Sequence, residues 1–532
     1  MAQPIAASEG IFDVDSGPQA SSNEYPGILD KAEIERLGRQ RPALLKSAWA
    51  ECGFVFSVVA SMMISEFFIG GFFIISPALA ESLQIPTALR TWPAAVPNLT
   101  TAALLLPCAR LCDRYGGRLV FLMGHIWLLI WSIIAGFSQN PTMLIVCRAL
   151  QGIGSGIFLP AGMALLGQAY RPGPRKNSVF SLYGAFAVIG FYCGIFMGAL
   201  ASQLLDWKWY FWIGAILCLI VTVVGFLTIP RKLGLGNKTA QIDWWGVCTI
   251  VPGLVLVVFA LTDGGHAPDG WRTPYIYISF ILGGIFLCAA VYVQGWVSAD
   301  PLLPADAFRP KYMKRLVASL FCSYGVFGLY LFYASYYIET VLHTSPFQTA
   351  AWFAPLAVGG MILALTGGFV LHLIPGRILL IISGLGYILS VLLFAVMPEQ
   401  SASGEPSTSF LYWSHVFPAM ICGTIGMDIS FNVTNVFITT ALPARLQATA
   451  GALTNCLVYL GIAFWLGVGD LAVATSQDLH GELGLREQYQ IGFWTGVGLA
   501  ALSLCLVATV KMGQAAAEMT ADERARAEQE AK

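Results

Sequence analysis

The chain has 532 residues, of which 57% are hydrophobic and only 11% are charged, and its net charge is −1. A soluble domain carries about a quarter charged residues, so this composition predicts a protein whose main solvent is lipid. The small net charge gives no reason to expect a nucleic acid or an acidic partner. The twelve cysteines are scattered singly, without a Cys-x-x-Cys pair or a histidine cluster, so neither a disulfide framework nor a metal site is predicted.

Apolar runs long enough to cross a bilayer as helices recur along the chain. They follow a tail at 1–46, which is predicted to be disordered and cytoplasmic, and precede a second cytoplasmic tail at 512–532. Because the first run starts so late, it is predicted to serve as the targeting signal itself. The fourteen predicted spans cover residues 53–79, 91–111, 119–137, 142–168, 179–205, 209–229, 244–263, 275–297, 316–341, 350–371, 377–397, 412–441, 448–473 and 491–511.

Lysine and arginine residues are unevenly divided between the predicted loops. If the N-terminus is cytoplasmic, fifteen of them lie in inside loops and four in outside loops. Cytoplasmic loops of membrane proteins carry the excess of these residues, so both termini are predicted to be cytoplasmic. The predicted location is the plasma membrane, with the vacuolar membrane as the alternative.

A weak internal repeat indicates two related halves. Arg175 precedes Gly190 by 15 residues after the fourth span, and Arg445 precedes Gly461 by 16 residues after the twelfth. We therefore expect six spans over 47–230, two linking spans over 231–300 and six more over 301–511, the usual plan of a transporter with a central site. Chance similarity between apolar helices is the alternative explanation.

The loop after the second span reads Ala109-Arg-Leu-Cys-Asp113-Arg114-Tyr-Gly116-Gly-Arg118. It resembles the signature Gly-x-Leu-Ala-Asp-Arg-x-Gly-Arg-Lys of the major facilitator superfamily, with Ala109 in place of the first glycine. A tight turn at Gly116 would place Asp113 beside fixed cations, where it could latch neighbouring helix ends at the cytoplasmic side. The alternative is a basic loop that only sets topology, which explains the arginines but not the spacing of Asp113 and Gly116.

The fourth span contains Arg148-x-x-Gln151-Gly152-x-Gly154, which resembles the Arg-x-x-Gln-Gly-x-Gly motif of the same superfamily. An arginine two turns inside an apolar helix costs several kcal/mol unless it is paired or hydrated, so Arg148 is predicted to face a cavity. A purely structural ion pair is the alternative. From membrane depth alone, we predict that Arg148 pairs with Glu66.

The fifth span carries Gly190-x-x-x-Gly194-Ile195-x-x-Gly198-Ala199. It resembles the motif of the antiporter branch, Gly-x-x-x-Gly-Pro-x-x-Gly-Gly, with Ile195 in place of the proline. Glycines four residues apart form a flat stripe that lets another helix approach closely. The motif therefore predicts antiporter-type gating, with simple helix packing as the alternative.

Two carboxylates fall inside predicted spans, Glu66 in the first and Asp428 in the twelfth. Buried carboxylates can take up and release protons when they are exposed alternately to two compartments. Asn432 and Asn435 follow Asp428 at helical spacing and share its face. This stripe is predicted to line a water-filled cavity, and an interhelical hydrogen-bond ladder is the alternative.

The segment from Gly426 to Gly469 resembles the fungal fourteen-span drug:proton antiporters of the aminotriazole- and boron-resistance branch. The resemblance implies an all-α integral membrane protein of the major facilitator fold. It implies proton-coupled efflux of drugs, toxic solutes or secondary metabolites by alternating access, in a monomer that uses the proton gradient and no cofactor. The alternative is uptake or facilitated passage of a small polar or ionic solute. No His-Glu-x-x-His, Gly-x-Ser-x-Gly or Walker motif occurs, so an enzyme is not expected.

Overall fold

The computed structural model describes residues 39–171, 174–237, 241–401, 405–442, 446–481, 483–510 and 512. Most of the predicted tails at 1–46 and 512–532 lies outside these residues, as does Arg445 of the predicted repeat. The described part of the chain is almost entirely helical and contains no β-strand. The predicted all-α fold class is therefore confirmed.

Fourteen helices of the described residues are long and apolar enough to cross a membrane, which confirms the predicted number. In chain order they are α1 Ala48–Ser82, α2 Thr87–Tyr115, α3 Gly117–Ala135, α4 Pro141–Ala169, α5 Arg175–Leu204, α6 Lys208–Thr228, α7 Trp244–Asp263, α8 Pro274–Val297, α9 Met313–Val341, α10 Pro346–Ala364, α11 Gly376–Ala395, α12 Thr408–Ile438, α13 Thr449–His480 and α14 Leu485–Ala508.

Polar side chains fix where several helices begin. At the start of α1, Ser47 Oγ accepts a hydrogen bond of 3.1 Å from the Ala50 N–H. At the start of α4, Asn140 Oδ1 accepts one of 2.8 Å from the Met143 N–H. These caps satisfy backbone donors that the first turn of a helix leaves without a partner, which matters most where no water can replace them.

We name the two ends of the bundle after the ends of α1, as the Ala48 face and the Ser82 face. Because each spanning helix is followed by one that crosses in the opposite direction, odd-numbered helices run from the Ala48 face to the Ser82 face and even-numbered helices run back. The helices α1–α6, here called the N group, pack on one another, with α1 against α5 and α6 and α4 against α2 and α3. In the C group, α9–α14, α9 packs against α13 and α14, and α12 against α10 and α11.

The interface between the two groups, here called the seam, is formed by α1 with α9, α2 with α13, and α5 with α10. Near the Ser82 face, Ser76 Oγ lies 3.0 Å from the Tyr336 hydroxyl, and the Phe347 N–H donates to Gln203 Oε1 at 3.0 Å. Each of these bonds joins one group to the other. The two groups are therefore joined by hydrogen bonds near the Ser82 face.

The linking helices α7 and α8 pack against each other, and α7 also packs against α2 and α13. Val258 of α7 is buried in a small apolar cluster with Leu99 of α2 and Ala463 of α13. In the loop after α7, His266 Nε2 lies 2.9 Å from Asp470 Oδ2 of α13. The linking pair thus covers one edge of the seam.

Candidate functional site

Arg148 of α4 is buried and bound mostly by backbone carbonyls. Its Nε donates to the Pro93 carbonyl at 3.1 Å, its Nη2 to the Phe68 carbonyl at 3.2 Å, and its Nη1 to Gln151 Oε1 at 3.1 Å. The guanidinium carbon also lies 4.0 Å from the centre of the Phe72 ring, a cation–π contact. Arg148 thus fixes the relative positions of α1, α2 and α4.

Gln151 connects this arginine to α3, because its Nε2 donates to Ser132 Oγ at 3.0 Å. Gly152 and Gly154 let α4 pack directly on its neighbours, Gly152 on α2 and Gly154 on α3. The residues of the fourth-span motif therefore hold α1, α2, α3 and α4 together around the buried guanidinium of Arg148.

A small cavity of about 20 Å³ lies beside Arg148, with room for about one water molecule. Polar groups supplied by α1, α2, α4 and α13 line it, including Ser65, Asn98, Thr101, Gln151 and Tyr459. Because Tyr459 belongs to the C group, the cavity reaches the seam. Arg148 is itself one of the residues that line this small cavity.

Glu66 does not pair with Arg148, and that prediction was wrong. Its neighbours are tyrosines: Tyr459 of α13, whose hydroxyl lies 3.1 Å from Ser65 Oγ, and Tyr183 of α5 both interact electrostatically with Glu66. Glu66 keeps part of its surface accessible although it lies near the middle of α1. It therefore faces the seam.

Asp428 of α12 lies on the other side of the seam. Among the described residues, nothing donates a hydrogen bond to its buried Oδ2. A Cβ at Gly360 of α10 would lie 3.2 Å from that oxygen and 3.3 Å from Val188 of α5, so α10 approaches both the carboxylate and α5 closely at this residue. Asn432 and Asn435 follow on α12, and both side chains are half-buried.

Tyr324 of α9 lies near both carboxylates and interacts electrostatically with Glu66 and with Asp428. Tyr387 of α11 is 2% exposed and also interacts with Asp428. The Tyr387 hydroxyl has no hydrogen-bond partner in the described part of the chain. Glu66, Asp428 and these tyrosines form what we call the seam site.

The signature loop lies at the Ala48 face, where α2 turns into α3. Gly116 adopts a φ of +95°, a conformation that favours glycine, and a Cβ there would lie 2.6 Å from the Gly234 carbonyl of the loop after α6. The Asp113 carbonyl accepts a hydrogen bond of 2.7 Å from the Asn237 N–H of the same loop. The tight turn predicted at Gly116 is present, and its partner is the start of the linking segment.

The basic residues of this loop hold neighbouring segments. Arg110 Nη2 donates to the Pro301 carbonyl and Arg118 Nη2 to the Phe226 carbonyl, both at 2.9 Å. Arg110 also interacts electrostatically with Asp113. Arg114 lies against the neighbouring Tyr115 ring, 5.8 Å from its centre.

The glycine stripe of α5 packs backbone to backbone against α1. A Cβ at Gly194 would lie 2.3 Å from the Phe67 carbonyl, which no real side chain tolerates. Gly190 and Gly198 make similarly close approaches to α1. The close helix approach predicted from the glycine spacing is therefore present.

The sequence reasoning missed the tyrosines of the seam site. A tyrosine inside an apolar span carries a hydroxyl that needs a partner, which distinguishes it from phenylalanine and was a usable signal. It also missed the pair formed by His266 and Asp470. Asp470 comes directly after the Gly426–Gly469 segment that carried the family resemblance.

Fourteen spanning helices, with two six-helix groups that meet at a polar seam, define a secondary transporter of small molecules rather than an enzyme. The profile of the Major Facilitator Superfamily matches residues 55–466, and the chain belongs to that superfamily. It is a multi-pass membrane protein.

Curated relatives and solved structures agree with this assignment. The chain is 31% identical to "Efflux pump terJ" of Aspergillus terreus over 89% of each chain. It is 31% identical to "Low affinity ammonium transporter" of Saccharomyces cerevisiae, over 79% of this chain and 80% of that one. It is 28% identical to "Aminotriazole resistance protein" of the same yeast, over 89% of this chain and 86% of that one.

A crystal structure of a POT peptide transporter in complex with sulfate superposes with a TM-score of 0.62 at 17% identity, over 89% of this chain and 97% of that one. This likeness concerns the fold alone. The resemblance to the fungal drug-efflux transporters is confirmed by the family match and by the named relatives.

Proposed function

We propose that the protein is a proton-coupled exporter of small molecules that works by alternating access. The observation that carries this proposal is the seam site, where Glu66 and Asp428 face each other's helix group without a basic partner among the described residues. The relatives named as efflux pumps support export as the direction.

The proposed cycle uses the proton gradient and no bound cofactor. With the two groups held together near the Ser82 face, the seam would open toward the Ala48 face and substrate would reach the carboxylates. Rocking of the N group against the C group then exposes the same site to the Ser82 face, where protonation neutralises the carboxylates and releases the substrate. Asn432 and Asn435 line the path along α12.

We assign the other motif residues to the moving parts around this site. At the Ala48 face, Asp113 and Arg110 hold α2 to the segments that lead into and out of the linking helices. The stripe of Gly190, Gly194 and Gly198 keeps α1 and α5 together as one body, so that both move with Glu66.

The excess of basic residues at the Ala48 face supports a cytoplasmic location for that face and for both termini. We further propose a monomer in the plasma membrane, with the vacuolar membrane as the alternative. A pH-sensitive fluorescent tag at either terminus, compared between intact and permeabilised cells, tests the orientation. A tag that responds to external pH in intact cells would contradict it.

The export proposal is tested in a yeast strain that lacks its own drug exporters. The strain is loaded with a panel of boric acid, aminotriazole and fluorescent drugs, and efflux is followed with and without a proton uncoupler. We expect the cells to lose one of these compounds. This loss should stop when the uncoupler is added, and it should not occur in cells that carry Asp428→Asn. Flux that ignores both changes would rule out proton-coupled export.

Uptake of a small ionic solute is the second candidate. The relative named as a low affinity ammonium transporter favours it, as does Ile195 in place of the proline of the antiporter motif. Inside-out vesicles separate the two directions: with an acidic lumen, an exporter accumulates substrate, whereas an importer driven by protons does not.

A further inference from the structure

We propose that the linking pair is a strap that holds the two helix groups together at the Ser82 face, and that His266 makes this strap tighter in acid. The strap consists of α7 and α8 with the loops that lead into and out of them. This inference goes beyond the proposed export and rests on it in one respect only, the alternating opening of the two faces.

The strap is fastened to the N group at the Ala48 face. The Asn237 N–H, ahead of α7, donates to the Asp113 carbonyl of α2 at 2.7 Å. After α8, the Pro301 carbonyl accepts a hydrogen bond of 2.9 Å from Arg110 Nη2 of the same helix. Both ends of the strap are therefore attached to α2 at this face.

At the Ser82 face the strap is fastened to the C group instead. In the loop after α7, His266 Nε2 lies 2.9 Å from Asp470 Oδ2 of α13, and the two side chains are only 13% and 10% exposed. One residue earlier, a Cβ at Gly265 would lie 2.5 Å from the Cβ of Ala474, so the loop backbone lies directly on α13. The strap thus joins one group at one face to the other group at the opposite face.

The seam between α2 and α13 lies beneath the strap, because α7 packs against both of these helices. Thr91, at the start of α2, is buried and interacts with the Asp470 carboxylate. Opening of the Ser82 face moves α2 away from α13 and breaks this contact. It must also pull α7 off α2 or His266 off Asp470, so a stronger bond between His266 and Asp470 resists opening.

The surroundings of His266 favour its charged form. The titratable groups packed around the pair are three carboxylates of α7 and α13 and two tyrosines of α8 and α9, namely Asp263, Asp470, Asp478, Tyr275 and Tyr333. Arg90, next to Thr91, interacts with tyrosines of α9 and α14 instead. The carboxylates raise the pKa of His266 by more than burial lowers it, so the net pKa lies above the ordinary value.

The sign of the pH effect follows from this pKa. His266 is charged below its ordinary pKa of about 6.5, and it loses the charge as pH rises through the higher folded value. A hydrogen bond between charged partners is roughly twice as strong as one between neutral partners. Acid therefore tightens the strap and a rise in pH loosens it. His266 is in this sense a positioning residue that acts on the opening of the seam through Asp470.

The test measures opening of the Ser82 face in the purified full-length protein in detergent. The reporter is Ser76→Cys, at a position where Ser76 Oγ lies 3.0 Å from the Tyr336 hydroxyl across the seam. A maleimide alkylates the introduced thiol, and mass spectrometry of the peptide that contains it separates this reaction from those of the native cysteines. The rate is compared between the reporter protein with His266 and the same protein with His266→Gln.

At about pH 6 we expect the thiol to react at least about threefold faster in His266→Gln, because the charged hydrogen bond that resists opening is lost. The ratio of the two rates should fall toward one by about pH 9, where His266 is neutral in the parent. Taking this ratio at each pH removes the pH dependence of the maleimide reaction and of the seam site.

Two further variants identify the source of the effect. Asp470→Asn removes the other half of the pair and should react as fast as His266→Gln at about pH 6. It also answers the question if His266→Gln cannot be purified in folded form. The matched control is His343→Gln, which removes an exposed histidine from the loop after α9 at the same face and should leave the rate unchanged at every pH.

A ratio of one at every pH would show that the strap does not hold this face closed. A ratio above one that stays constant with pH would show that His266 acts by packing alone, and either result overturns the proposal. The assay needs neither substrate nor flux, so its failure is separate from failure of the export proposal. Uncoupler-sensitive export together with a ratio of one would leave export standing and remove the strap. A ratio that falls with pH in a protein without proton-driven flux would do the reverse.

Discussion

The Tyr459 hydroxyl joins the two helix groups beside the Glu66 carboxylate. It lies 3.1 Å from Ser65 Oγ, and it also interacts electrostatically with Glu66, so one C-group side chain contacts two adjacent residues of α1. A change in the charge of Glu66 therefore acts on a bond that crosses the seam. This makes Tyr459 a positioning residue rather than a proton carrier.

Replacing Tyr459 with phenylalanine removes the hydroxyl and keeps the ring. We expect the protein to fold with a loss of only about 1 kcal/mol, the usual contribution of one hydrogen bond. Transport should become less steeply dependent on the proton gradient, as measured by substrate flux against imposed pH difference in proteoliposomes. The control is Tyr330→Phe, which removes a bond to Met420 Sδ inside the C group. Equal effects of the two variants would contradict the role of Tyr459.

Sequence predicted a buried arginine at 148 but named the wrong partner for it. Membrane depth fixes position along a helix, whereas a contact also depends on direction around it. Arg148 meets α1 at Phe68 and Phe72, which point about 120–160° away from Glu66 around that helix, given 100° per residue. Depth alone could not reveal this, because the rotation of each helix is set by packing with helices that are distant in sequence.

At the scale of helices, the contact between α1 and α5 depends on glycines, which have no side chain to keep the two backbones apart. The glycine stripe was readable from its four-residue spacing, since that spacing places the glycines on one face. The partner was not readable, because spacing says which face is flat and not which helix lies on it. In the structure that partner is α1, so the antiporter-like motif packs against the helix that carries Glu66.

A methyl group at Gly194 should separate these two helices. In Gly194→Ala, the new Cβ would lie 2.3 Å from the Phe67 carbonyl and 2.9 Å from the Gly71 nitrogen, so we expect a loss of about 1–3 kcal/mol and a lower melting temperature. Thermal unfolding of the purified variant measures it. Gly184→Ala is the control on the same helix, because no atom lies within 4 Å of its Cβ position. If both variants melt alike, the tight approach is not a source of stability.

At the scale of the whole molecule, His266 and Asp470 fasten the linking pair to the C group. Burial lowers the pKa of His266. The hydrogen bond to Asp470 and the negative charges of Asp470, Asp263 and Asp478 raise the pKa by more than burial lowers it, so the net pKa lies above the ordinary value. Thr91 of α2 and Tyr333 of α9 also face Asp470. The pair formed by His266 and Asp470 therefore contacts both helix groups and the end of α7 at the Ser82 face.

The ion pair of His266 and Asp470 should make the free energy of unfolding depend on pH. A raised pKa means that its contribution is fully present below the ordinary histidine pKa of about 6.5 and is lost as pH rises through the higher folded value. We expect His266→Gln to be about 1–2 kcal/mol less stable than the parent at pH 6, with the gap closing toward pH 9. Melting temperatures across that range measure it, with the exposed His343→Gln as control. A gap that is constant with pH would mean that His266 acts by packing alone.

The position of α7 has a consequence for compounds dissolved in the bilayer. Of the two edges at which the seam meets lipid, the one between α2 and α13 lies under the linking pair, through the cluster of Leu99, Val258 and Ala463. The opposite edge is formed by α5 and α10, and Gly360 of α10 there lies beside both Asp428 and Val188 of α5. The two extra helices thus give the transporter a covered side and an open side. A lipophilic compound that approaches from the membrane interior would reach the carboxylates between α5 and α10.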